Sequence, residues 1–422
     1  MRYLINLFKS NFNVFYISVG LVLMTLPFNY GYNSVAIILM IICSIINVFN
    51  NPSQLKQIRF LGHKKYIFLV LLGVTYLLSI IWSIHSEATI KSLSVKIPLI
   101  IFPFVFAISP KVKKNDTKLV FGLFILSVLV VDFYCLINSY LHYSIYHDNS
   151  VFFYHKLSEN ANLNAIYLCA FNASSILFIV VGKVYKNEVL KWSILILLFL
   201  FVFLTASKMV VFSLITSVLV NSVFRHSKKR RNVIMFVVLI VLVAGIGSNT
   251  KVLKGRVLEL INANFEMAWV NNDLSQLGVD GISIRVFQYR ALFEIIQENP
   301  IRAFFGFGLK AHKVKLNEKY EKYNIYNVDD DFKGVKGLDF HNQYVCTFLS
   351  IGLFGSYFLI AFLISIISLA FRTNDKLMFV LSVFFALIFL TEMYLELQRG
   401  IILFATLLLF LIKRNEQGFS FN

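Results

Sequence analysis

The chain is short of charge, above all of acidic residues, and of the residues that punctuate soluble folds. Charged residues fill only 15% of 422 positions, with 22 Asp and Glu against 40 Lys and Arg, and there are six prolines. A soluble chain of this length needs a charged exterior, so the shortage excludes that class. The four cysteines, Cys43, Cys135, Cys169 and Cys346, lack the spacing of a metal site or a disulfide framework. Each falls in an apolar run, where a thiol packs as a small hydrophobe. No internal repeat is visible, and no Gly/Pro-interrupted pair of apolar segments occupies corresponding halves, which removes the marks of a solenoid and of an inverted-repeat transporter. Carboxylates within apolar runs are rare, and a proton-coupled carrier usually shows more of them. Asp132 is the clearest exception and has two readings: a functional group facing a bundle interior, or one shallow enough to reach water.

What is present is apolar length. Hydrophobic residues make up 58% of the chain, and the mean hydropathy is +0.72. A membrane-crossing helix needs about 20 such residues. Runs of this kind fall near 12–28, 31–48, 66–84, 93–109, 119–138, 161–181, 190–206, 209–224, 232–248, 342–370, 377–391 and 399–412. The expected fold is therefore all-α, a polytopic transmembrane helical bundle of about 12 spans with one large helical loop. It divides into an N-terminal bundle over 1–248, the loop over 249–341, and C-terminal transmembrane helices over 342–422. Arg2 and Lys9 precede the first run, which lacks a small-residue cleavage site, so that span is expected to stay.

The excess of basic residues is read as a topology signal. With the N-terminus inside, 22 Lys and Arg fall in inner connections and 5 in short outer connections and span ends; the remaining 13 of the 40 lie in the long loop. That bias predicts cytoplasmic termini and an outer loop. It also implies affinity for anionic membrane lipids and argues against a nucleic-acid partner, even at 226–231, a basic stretch lying between two apolar runs.

Polar chemistry gathers in the loop. Apolar positions recur at Val257, Leu258, Leu260, Ile261 and Phe265 and again over 284–296, which predicts at least two helices. For the second, near 282–298, Ser283 is a candidate N-cap and Asn299-Pro300 a terminator. On its wheel Arg285, Tyr289, Leu292 and Ile296 share a stripe, while Arg290 and Glu294 form a solvated i,i+4 pair. A guanidinium on an apolar stripe needs an anionic partner, either a local carboxylate or a bound anion.

Beyond this helix the chain reads Asn299-Pro300, then Gly306-Phe307-Gly308, then His341-Asn342-Gln343-Tyr344 before the next apolar run. Gly306 and Gly308 make no nucleotide fingerprint, since neither a strand nor a third glycine accompanies them; they suit a tight loop. Together with Arg285 and Tyr289, this order resembles the O-antigen ligase and O-antigen polymerase superfamily. Thr205-Ala206-Ser207-Lys208 resembles the place where that family has a Ser-Arg pair, with Lys208 keeping the charge but losing the bidentate fork. Thr391-Glu392 through Glu396 to Arg399-Gly400 looks like an acidic outer-face motif of a ligase-like branch.

The resemblance implies a glycosyltransferase of the bacterial inner membrane that needs no cofactor or metal. It would move glycan at the periplasmic face from an undecaprenyl-pyrophosphate-linked donor to a hydroxyl acceptor, either lipid A core for a ligase or a lipid-linked glycan for a polymerase. A polysaccharide flippase or other transporter is the competing class. His341 is the candidate base, and Arg285 and Lys208 are the candidate stabilisers of departing pyrophosphate. Tyr289, Asn342, Glu392, Glu396 and Arg399 are substrate-binding candidates. Two alternatives stand beside these: His341 as a polar residue at a span edge, and Glu392 with Glu396 as an acid-base pair rather than groups orienting Arg399, Lys208 or acceptor sugars.

Overall fold

The computed structural model describes residues 13–53, 64–224, 265–275, 277, 283–325 and 338–416, and the regular structure among the described residues is all helical, without strands. The first part contains α1 (Val14–Thr25), α2 (Tyr30–Asn50), α3 (Lys64–Leu78), α4 (Ser86–Lys96), α5 (Pro98–Ala107) and α6 (Lys114–Tyr146). It continues with α7 (Tyr154–Glu159), α8 (Ala165–Val180), α9 (Glu188–Thr205) and α10 (Lys208–Phe224). The loop region supplies α11 (Phe265–Val270), α12 (Ser283–Glu298), α13 (Arg302–Phe305) and α14 (His312–Lys322), and the chain closes with α15 (Gln343–Arg372), α16 (Lys376–Ile388) and α17 (Gln398–Asn415).

Five segments are long and apolar enough to cross a membrane: α2, α4 with α5 as Ser86–Ala107, α6, α9 and α15. Five shorter apolar helices lie within α1, α3, α8, α10 and α16. The expected span at 232–248 lies outside the described residues, as do the apolar positions 257–261.

Asparagine starts many of these helices. Asn13, Asn29, Asn164, Asn187 and Asn342 each turn a side-chain oxygen onto backbone N–H groups that would otherwise be left unpaired at a helix end. α1 packs on α2 and α6, α8 on α9, α10 on α16, and α3 on α15. At the centre is α17, buried from Arg399 to Arg414.

One break positions the site. Gly352 in α15 has φ +69, and its departure from helical geometry leaves nearby carbonyls open. The Leu349 and Ser350 carbonyls accept the N–H groups of Phe307 (2.7 Å) and Gly308 (3.0 Å). A Cβ at Gly352 would collide with the Phe304 carbonyl. The Gly306-Phe307-Gly308 turn is therefore the seam by which the loop docks on the bundle.

Candidate functional site at the loop and bundle seam

α12 runs over nearly the expected residues and stops at Asn299-Pro300. Phe287, Ala291 and Ile295 face a small core shared with Leu316, Tyr320 and Tyr323. Arg285 and Tyr289 stand on a partly open side, with the Arg285 side chain 34% exposed. The Arg290–Glu294 pair is present at 3.2 Å, but the expectation that it is solvated needs correction. Arg290 also donates to the Asn271 carbonyl (2.6 Å) and lies 4.2 Å from the Tyr323 ring centroid, so it braces the loop fold.

His341 precedes α15 in the left-handed region, at φ +40. A non-glycine residue held there is strained, and its surroundings must impose the conformation. Asn342 does part of this work. Its Oδ1 accepts the Tyr344 and Val345 N–H groups at the head of α15, and its Nδ2 donates to the Tyr289 hydroxyl at 2.9 Å. One amide thus ends the strained loop, caps the helix and fixes the ring that sits a turn beyond Arg285.

The electrostatics favour a neutral imidazole. Burial lowers the His341 pKa below its ordinary value, and Arg285 lowers it further while Asp339 opposes them. Glu392 Oε1 lies 3.7 Å from Arg285 Nη2. Burial lifts the Glu392 carboxyl to about 7, against the pull of Arg285. Arg285, His341, Tyr289, Asn342 and Glu392 therefore come together.

The other members of the outer motif are placed differently from expectation. Glu396 does not orient Arg399 or Lys208. It is buried with Lys96 Nζ at 2.8 Å and Lys310 Nζ at 3.4 Å, and although burial opposes ionisation these two cations hold its carboxyl at about 2. Arg399 likewise meets no carboxylate among the described residues; it donates to the carbonyls of Leu26 (3.2 Å), Asn162 (2.9 Å) and Phe28 (2.7 Å). Lys208 is exposed at the first position of α10, whose packing is against α8 and α16.

Four residues were missed in the sequence. His312 Nε2 lies 2.9 Å from Asp339 Oδ1, and Lys313 Nζ lies 3.2 Å from Asp339 Oδ2. Ser350 Oγ meets His312 Nδ1 at 3.2 Å, joining this cluster to α15. Burial opposes the Asp339 charge, but His312 and the nearby lysines, Lys310 among them, hold its carboxyl well below the usual range. Lys313 also acts on His341. The sequence signal was only the polar run Lys310-Ala311-His312-Lys313 and an Asp two places before His341.

His312, Asp339 and Cys346 present donor atoms within 4.8 Å of one another, the grouping among the described residues with metal-ligand types. Asp339 is already committed to His312, to Lys313 and to the Phe340 N–H at 3.0 Å. A lysine ammonium on the same carboxylate makes a poor setting for a second cation.

No curated protein matches the chain. Residues 193–360 match the family described as O-antigen ligase, a stretch that holds Lys208, Arg285, Tyr289, His341 and Asn342 and stops before Glu392. That match lies over the motif-bearing region and supports the resemblance to the O-antigen ligase and polymerase superfamily.

Proposed function

We propose that the protein transfers glycan from an undecaprenyl-pyrophosphate carrier to a sugar hydroxyl, as an O-antigen ligase with lipid A core as acceptor. The site would face the periplasm, in the inner membrane, with both termini cytoplasmic. The observation that carries the chemistry is the placement of a largely desolvated, strained His341 beside Arg285, with Glu392 paired to that arginine.

In this reading His341 accepts the proton of the attacking hydroxyl as the new bond forms at the donor's anomeric carbon. The bond from that carbon to the pyrophosphate oxygen breaks, and the electron pair leaves with the lipid pyrophosphate. An imidazole kept neutral can take the proton at cellular pH. Arg285 meets the charge that grows on the departing phosphate, with Lys208 proposed as a second, point-like cation. Glu392 neutralises Arg285 before substrate arrives, and a carboxyl near 7 can take up a proton when a phosphate claims that guanidinium. Phosphate is a good leaving group, so these residues can act without metal assistance in principle.

A polymerase uses the same donor and differs in its acceptor, and the matched region serves both readings. The ligase reading rests on the acidic segment after residue 391, outside the match. The test is the glycan profile of a deletion strain. A ligase mutant keeps long glycan on the lipid carrier and loses it from lipid A; a polymerase mutant shows single repeats on lipid A. Long glycan on lipid A at normal levels would remove both.

A further inference from the structure

At the end of the bundle that carries the 389–398 connection lies a cleft of ≈ 510 Å³, away from the residues grouped around His341. Tyr30, Tyr32, Tyr134, Asn160 and Asn162 line it, and Arg399 forms part of its floor. The three tyrosines are exposed, Tyr32 by 68%. Arg399 keeps its charge but is 6% exposed and already engaged. Its Nε, Nη1 and Nη2 each hold a backbone carbonyl, and its guanidinium stacks 4.3 Å from the Tyr30 ring centroid. It thereby ties the α1–α2 turn to the 160–164 loop and keeps the cleft in shape.

The cleft sits where lipid gives way to water. α6 has 33 residues, roughly 50 Å at 1.5 Å per residue, against about 30 Å of hydrocarbon. From its first turn at Lys114, about 20 residues bring it to Tyr134 at the edge of that layer, and the rest projects beyond. There a second cleft of ≈ 350 Å³ follows, lined by Ser139, His142, Asp148, Lys156 and Glu159, and Asn160 lines both. The two make a path from exposed tyrosine rings to side-chain donors and acceptors.

We propose that this path binds uncharged, hydroxyl-rich oligosaccharide, an inference that rests on the glycan-transfer reading above. Ring faces pack against the apolar C–H surfaces of a sugar, and amides meet its hydroxyls. A phosphate head group would have to compete with the three carbonyls that the nearly buried Arg399 already holds, whereas neutral hydroxyls need only the exposed tyrosines and amides. Continuity with the transfer site supports the assignment. Glu392 stands against Arg285 and Arg399 lies in the cleft floor, seven residues on. Even fully extended, that segment reaches about 25 Å, so a glycan of several units can occupy the path while its end reaches His341.

The test uses the full chain in lipid nanodiscs and, as probe, the oligosaccharide repeat released from the producing strain's polysaccharide and freed of phosphate. Saturation-transfer NMR should show contact with sugar C–H protons in the wild type and equally in His341→Ala, which separates the cleft from the fate of the catalytic reading. Tyr32→Ala and Tyr134→Ala should each weaken Kd several-fold to about tenfold. In transfer assays the same variants should raise one KM, that of the acceptor or of the donor, which identifies the glycan held. Absence of a signal in the wild type, or an unchanged Kd in both tyrosine variants, overturns the proposal. So does photolabelling of Tyr32 and Tyr134 by a diazirine phosphatidylglycerol without displacement by the oligosaccharide, which marks a lipid-facing aromatic belt.

Discussion

The bundle and the loop are held together by different physics. In the bundle, one continuous apolar cluster runs from Phe15 to Ile412, and around it buried polar groups serve caps, carbonyl ties such as Lys413 to Ala107 (3.0 Å), and buried ion pairs, Lys96 with Glu396 and Arg414 with Asp375. In the loop, a smaller core around Phe287, Leu316 and Tyr320 is stitched by charge. Glu294 alone receives Arg290, Lys319 (2.9 Å), Lys322 (3.6 Å) and the Tyr323 hydroxyl (2.7 Å). Where lipid surrounds helices, association rests on close packing, because lipid tails are as apolar as the side chains. Where water surrounds them, burial and ion pairs share the task. The residues proposed for transfer around His341 lie at the seam between the two cores, where a charged group can be desolvated without facing lipid.

The largest expected effect separates function from both cores. His341→Ala should lower transfer by about 100 to 10,000-fold, the usual contribution of a positioned base, while donor binding and thermal unfolding stay near wild type. Transfer by the purified variant within a few-fold of wild type would remove His341 from the mechanism.

The contrast in packing is tested next. Phe404 is fully buried on α17 against Phe362, Phe385 and Phe389, and Phe404→Ala should destabilise the bundle by about 3–5 kcal/mol. Thermal unfolding of nanodisc-embedded protein reads this. An unchanged unfolding temperature would mean that α17 does not organise the bundle.

Arg285→Lys keeps charge but loses the fork, and should cost about 100-fold or more in rate. Lys208→Arg should retain substantial activity and Lys208→Ala lose most of it; full activity in both Arg285→Lys and Lys208→Ala would sink the anion site. The pH profile sharpens the point. Since burial and Arg285 hold His341 below its ordinary pKa, the wild-type rate should fall only as pH drops below about 6.5. In Arg285→Gln that acid limb should move to higher pH, and an unmoved limb would show that Arg285 does not act on His341.

The smallest effect lies in the loop. Glu294→Gln should loosen it by about 1–2 kcal/mol, seen as faster limited proteolysis after α14 with the bundle's unfolding unchanged. Although burial opposes ionisation, the Tyr323 hydroxyl, Lys319 and Lys322 hold the Glu294 carboxyl at about 2. Its depressed value means the loop is fully supported above about 4.3 and loses that support as pH falls toward 2. Proteolysis that rises instead at alkaline pH alone would contradict this.

Much of the fold was legible because long apolar runs report directly on helices. Eleven of the twelve expected runs correspond to described helices, with 93–109 falling on α4 and α5, which are divided at Ile97-Pro98, and 232–248 lies outside the described residues. Local pairs were legible too: Arg290 with Glu294, and the Asn299-Pro300 stop. Asp132 proves to face the bundle interior, fully buried and hydrogen-bonded to Asn172 at 3.1 Å. Partners far apart in the chain were not legible. Glu396 meets Lys96 across 300 positions, and Arg399 spends its donors on carbonyls, which carry no residue identity for a sequence to display. His312 and Asp339 were hidden for the same reason, since their meeting depends on how α14 seats beside α15.

The most direct test of an enzyme at this seam is a product balance. Purified protein in proteoliposomes receives donor labelled separately in its glycan and its pyrophosphate, together with a hydroxyl acceptor. The account predicts one glycan joined to acceptor for each undecaprenyl pyrophosphate released by the wild type, and neither product from His341→Ala despite normal donor binding. Movement of intact donor across the bilayer with no cleavage would contradict it and establish a transporter instead.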